Sequence, residues 1–183
     1  MGFDIYVSRS KRVSSSKARA AWLTDVPAAR DSDYQEPVVR RLEELGFERQ
    51  VMNWPLIAEG LNTSDEDARL VLTSVPSFHE GLGIEASVSS IGVELHFGWI
   101  SEPAVRAETL SIVWKIATTV NELEPAFLFD PQSDQVFEVA GGQERFIAAY
   151  ARAADETLKF IQSPGFALRT SAAIAELAPE TDA

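Results

Sequence analysis

Cysteine is absent from the 183 residues, and histidine and methionine occur only twice each. Without cysteine the chain has no route to disulfides, thiol nucleophiles or cysteine-held zinc and iron–sulfur centres, which suits a reducing compartment. No apolar run approaches the roughly 20 residues that a membrane-spanning helix needs. The N-terminus passes from Phe3–Val7 into basic residues, without the apolar stretch and small-residue cleavage site of a signal peptide. The expectation is a cytoplasmic protein with no membrane association.

Catalytic signatures are equally scarce. There is no Gly-x-Ser-x-Gly elbow and no Walker loop, so the serines read as caps and turns. Gly81-Leu82-Gly83-Ile84-Glu85-Ala86 matches a loose G-x-G-x-x-A, but a strand follows it where a dinucleotide loop requires a helix. His79-Glu80 has no second histidine at helical spacing, which excludes the H-E-x-x-H zinc pattern. No cofactor or metal is expected.

What the chain has in quantity is acid. Its net charge of -12 is unevenly divided: residues 1–49 balance at +1 and residues 50–183 at -13. A field of that sign repels nucleic acid and favours basic partners, although acidity also simply keeps a protein soluble. The basic cluster Arg9, Lys11, Arg12, Lys17 and Arg19 is the local exception. It carries no interleaved aromatic residue for base stacking and reads as a solvated loop and helix start.

Alternation defines the strands. Phe3, Ile5 and Val7 alternate with Asp4 and Tyr6; Ile84, Ala86 and Val88 with Glu85 and Ser87; Val93, Leu95, Phe97 and Trp99 with Glu94 and His96. Phe127–Asp130 and Gln135–Val139 read as a second hairpin about the Asp130-Pro131-Gln132-Ser133 turn. Helical spacing and caps predict a short helix at 17–23 and longer ones at about 35–45, from the Thr63–Glu66 cap up to Pro76, from a Ser101 cap to beyond Asn121, and at 143–162. In the last of these Phe146, Ile147, Tyr150, Ala154, Leu158 and Ile161 face inward. Ser163-Pro164-Gly165 closes it.

Strand, helix, hairpin, helix, strand is the order of an α+β, ferredoxin-like split β-α-β sheet with helices on one face. An extra hairpin strand and a C-terminal helix decorate it. One domain spans 1–165, with 50–80 as a covering insertion, and 166–183 form a frayed or partly helical tail. The expected inner set includes Phe127 and Phe129. Asp4, Tyr6, Glu85, Ser87, Glu94 and His96 then share the opposite face, with Asp130 at its rim close to Asp4. Trp99 at a strand end is a core-edge residue or the rim of a cleft.

Phe3-Asp4-Ile5-Tyr6-Val7, Trp54-Pro55 and Phe129-Asp130-Pro131-Gln132 together resemble a group of small bacterial proteins. These open with a Phe-Asp-aliphatic-Tyr/Trp-Val strand and close a helix–strand unit with an aromatic-Asp-Pro-Gln turn. The resemblance covers about residues 1–140, and it implies an α+β fold, a bacterial origin and, for some members, an immunity or accessory role.

The functional expectation is a non-enzymatic protein-binding module, monomeric or homodimeric, that meets a basic partner through Asp4, Tyr6, Glu85, Glu94, His96, Trp99 and Asp130. The alternatives are a small-molecule binder or enzyme with a pocket around Tyr6, Glu94, His96 and Trp99, and a dimerising structural module without a ligand. A hydrogen-bonded surface histidine is the ordinary reading of His96, and turn capping that of Asp130.

Overall fold

The protein is described by a computed structural model over residues 2–9, 31–71, 73–98 and 102–161. The predicted helix at 17–23, Trp99, the Ser101 cap, the Ser163–Gly165 stop and the tail lie outside the described residues.

Seven strands form one open antiparallel sheet: β1 (Gly2–Ser8), β2 (Glu48–Arg49), β3 (Val75–His79), β4 (Ile84–Ser89), β5 (Gly92–Gly98), β6 (Phe127–Asp130) and β7 (Gln135–Glu138). Their spatial order is β2-β3-β4-β5-β1-β6-β7. Five described helices accompany them: α1 (Ser32–Glu44), α2 (Trp54–Leu61), α3 (Asp65–Val71), α4 (Pro103–Leu123) and α5 (Gln143–Ile161). The architecture is mixed α+β, as the element order predicts, and no described helix is long and apolar enough to cross a membrane.

The core lies on one side of the sheet. Phe3, Ile5 and Val7 of β1 join Ile84, Ala86 and Val88 of β4 and Val93, Leu95 and Phe97 of β5, all inward by the pleat alternation. Val38 and Leu42 of α1, Val113, Ile116 and Val120 of α4, and Phe146 and Tyr150 of α5 close over them. The aromatic contacts are tilted or offset: Phe3 and Tyr150 centroids are 5.1 Å apart, and Phe137 meets Phe146 edge-on at 5.6 Å. In α5 the inward set is Phe146, Ala149, Tyr150 and Ala154, while Ile147, expected inward, is exposed.

Local chemistry explains the helix starts. Asp31 caps α1 by accepting the Tyr34 N–H at 3.2 Å, which moves the start ahead of the predicted residue 35. Ser64 caps α3 through the Asp67 N–H at 3.1 Å, and Pro55 and Pro103 occupy first-turn positions where a missing N–H costs nothing. Buried Gln35 holds α1 to the sheet, its Nε2 donating to the carbonyls of Thr73 and Val88, both at 2.9 Å.

Three expectations need correction. Pro76 does not merely end a helix: it lies within β3, so part of the expected covering insertion is a strand of the sheet itself. The Gln50 N–H donates to the Pro76 carbonyl at 2.9 Å, and proline has no N–H to return, so the β2–β3 ladder stops there. Phe127 and Phe129 are not the inward residues of β6. Tyr6 pairs with Phe129 and Val7 with Leu128, so the inward side chain is Leu128. The same register takes Asp130 off the outer rim and under the helices, where it is fully buried near Tyr150.

Candidate functional site

The outward face is laid out in cross-strand rows. One row runs Asp4, His96, Glu85, Phe78 and Glu48, from β1 through β5, β4 and β3 to β2. The neighbouring row runs Val136, Phe129, Tyr6, Glu94, Ser87 and Pro76. Directly opposed side chains in such rows lie about 4.5–5.5 Å apart at Cβ, so each row is a line of contacts. The sequence-predicted residues Asp4, Tyr6, Glu85, Glu94 and His96 are thereby brought together, and Asp130 is not among them.

Each row has its own character. Tyr6 and Phe129 stack with centroids 6.1 Å apart, and with Val136 they form a small apolar cluster separate from the core. Beside it, Asp4 Oδ1 lies 2.7 Å from His96 Nδ1, with side-chain exposures of 35% and 50%. The pair is wet enough to exchange partners. Glu94 is partly buried within the second row, opposite Tyr6. Burial pushes its carboxyl above the usual range; the Tyr6 hydroxyl, donating to it, pulls the other way, the Asp4 charge adds to the rise and His96 offsets it.

A groove of about 310 Å³ runs over this surface, with Asp4, Glu85, Glu94, His96, Ser87 and Gln50 among its lining residues. Gln50 is a contributor that sequence reasoning missed. A two-residue strand such as β2 has no measurable period, so nothing local marks it. Chemically the groove offers carboxylates, one imidazole and the polar Gln50, a set suited to ammonium or guanidinium groups. Among the described residues no cluster of His, Asp and Glu is arranged to hold a metal ion.

The remaining predicted features are structural. Asp130 accepts the Gln132 N–H at 3.0 Å and the Ser133 hydroxyl at 2.7 Å, closing the turn from inside the protein. Burial raises its carboxyl above the ordinary value, and hydrogen bonds from Ser133 and Gln132 partly offset this. His79 accepts the Leu82 N–H on Nδ1 at 3.2 Å and meets the Phe47 ring edge-on, so it belongs to the β3–β4 turn. Arg9, from the basic cluster, lies over the Tyr34 ring at 4.1 Å and bonds Asp31 and Glu124 at 2.7 Å each, tying the start of α1 to the end of α4.

No family model, curated protein or solved structure matches the chain.

Proposed function

We propose that the chain is a non-enzymatic protein-binding module, in the manner of an immunity or accessory protein, which engages a basic segment of a partner protein through the outward sheet face. The observation that carries this reading is the composition of the face. Its strand positions hold the carboxylates Asp4, Glu48, Glu85, Glu94 and Glu138, with no lysine or arginine among the described outward residues. None of these carboxylates directly faces another across a ladder, so they coexist without opposed like charges, and a face of one sign attracts a cationic partner.

The finer fold reading supports the same picture. The order β6-β1-β5-β4 within the sheet is the one a split β-α-β unit produces, which favours a ferredoxin-like core with β2, β3 and β7 added at its margins. Such a core covers one sheet face with helices and presents the other. A cytoplasmic setting accords with the lack of thiols.

Titrating a dye-labelled, unstructured Arg/Lys/Gly/Ser peptide with the protein tests the reading by fluorescence anisotropy. Exposed ion pairs contribute about 0.5 kcal/mol each, so Asp4→Asn, Glu85→Gln and Glu94→Gln together weaken binding roughly tenfold. The affinity falls as salt rises. Equal affinity of the triple variant and the parent protein sinks the proposal.

The Asp4–His96 hydrogen bond favours a second reading, a small-molecule binder or enzyme with its pocket around Tyr6, Glu94 and His96, since a carboxylate-oriented imidazole is how a general base is held. Saturable, small-ligand-induced shifts of the His96 ring resonances in NMR, without peptide binding, support that reading over the first.

A further inference from the structure

The short stretch 51–61 leaves more apolar surface in water than its composition warrants. Val51 is 98% exposed, Leu56 62% and Leu61 48%, half of the large hydrophobic residues that are exposed among the described ones. In α2 itself only Ala58 is buried. No described side chain of α2 or α3 belongs to the core cluster or to the Tyr6 cluster, although the two helices pack on one another. An amphipathic surface helix turns its apolar residues inward. This one keeps Leu56 outward instead.

Charge indicates what would cover it. The hairpin carries Glu59, Asp65, Glu66 and Asp67, all exposed, against one base, Arg69, whose guanidinium lies 4.7 Å over the Trp54 ring of the hairpin itself. Gly60 follows Leu56 by one helical turn on the same side, and a side chain built at Gly60 would meet nothing within 4 Å. A leucine next to a bare glycine lets a second helix approach closely, and the acids at the end of the hairpin repel any acidic one. We infer that the α2–α3 hairpin is a docking surface, distinct from the sheet face, for a basic amphipathic helix of a partner protein. The apolar stripe of that helix lies on Val51, Leu56 and Gly60, and its lysines or arginines meet the acids of α3. This is the helix-in-surface mode of recognition, in which an apolar anchor gives affinity and flanking charge gives orientation.

The experiment uses the full chain and a fluorescein-labelled, 18-residue Leu/Lys peptide with leucines at i, i+3, i+4 and i+7. A scrambled peptide of equal composition, with no apolar stripe, serves as control. Anisotropy titration is expected to show at least tenfold tighter binding of the striped peptide than of the control. Val51→Glu with Leu56→Glu should abolish that difference, and Gly60→Trp should lose it too. Circular dichroism and melting temperature should match the parent protein, since these positions are open to solvent. The sheet-face variant with Asp4→Asn and Glu94→Gln should bind the striped peptide as the parent does. That result separates this surface from the proposed sheet-face function, so either can fail alone. Equal binding of the two peptides overturns the inference, as does full binding by the Val51→Glu, Leu56→Glu variant or loss in the sheet-face variant only. Sedimentation showing a dimer that Leu56→Glu dissolves also overturns it, because the occupant is then a second copy of the chain.

Discussion

Asp4 and His96 face each other across the β1–β5 ladder with Oδ1 2.7 Å from Nδ1, the one carboxylate–imidazole contact among the described ion pairs. An ionised carboxylate only accepts, so a neutral ring bonded in this way carries its proton on Nδ1 and has Nε2 as its acceptor nitrogen. Nitrogen-15 NMR of the ring is expected to report the Nδ1–H tautomer. Asp4→Asn should remove that preference, at a stability cost below about 1 kcal/mol because the pair is exposed. An Nε2–H tautomer in the parent protein contradicts the geometry.

Leu128, not its phenylalanine neighbours, is the inward residue of β6. Leu128→Ala should cost about 2–5 kcal/mol in urea denaturation, the range for a leucine truncated in a packed core. Phe127→Ala should cost clearly less, since Phe127 is only partly buried. A larger loss at Phe127 than at Leu128 means that the strand sits in the other register.

The two ends of the pH scale should strain different carboxyls. Asp130 is raised by burial, so the folded state holds its proton more tightly than the unfolded chain does. Its contribution to stability therefore falls as pH rises from about 4, the unfolded carboxylate value, through the raised folded value. Asp130→Asn, which keeps an acceptor for the Gln132 N–H, should flatten that fall. Asp31 is lowered by its hydrogen bond with Arg9, so its contribution is present above about 4 and lost as pH drops through the lowered folded value. Asp31→Asn should remove that acid-side loss. Chemical denaturation of both variants across pH 2–8 measures the two slopes, and slopes of the opposite sign refute the assignments.

Arg9 makes charge-assisted bonds to Asp31 and Glu124, bonds the Ser90 carbonyl at 3.1 Å and covers Tyr34. Its planar fork makes these contacts at once, which an ammonium cannot do. Arg9→Ala should cost about 1–3 kcal/mol, the scale of a hydrogen bond to a charged group with a cation–π contact. Arg9→Lys should restore less than half of that in equilibrium unfolding. Full rescue by lysine indicates that only the charge matters.

Much of the candidate face was legible before the structure. Asp4, Tyr6, Glu85, Glu94 and His96 share it because they sit in long alternating strands whose apolar partners are unambiguous, and pleating forces every second residue to the same side. Asp130 failed the same test for a local reason. Phe127, Leu128 and Phe129 are all apolar, so alternation carries no phase in β6, and hydrophobicity alone cannot say which of them faces the core. The phase came from pairing with β1, a partner more than a hundred residues away. Pro76 misled for a different reason: proline commonly ends elements, yet it is tolerated beside a ladder that stops at that residue.

The amino-acid order by itself determined the class of most elements, the inward faces of β1, β4 and β5, the cap of α3, and the acidic character of the later chain. Those properties depend on neighbours within a turn or two, where sterics, pleat and capping act. Only the tertiary structure decided that β2 and β3 extend the sheet, that Asp130 is buried, and that Gln50 lines the groove. Each depends on which distant backbone supplies the hydrogen-bonding partner, a choice made by long-range register that no local pattern encodes.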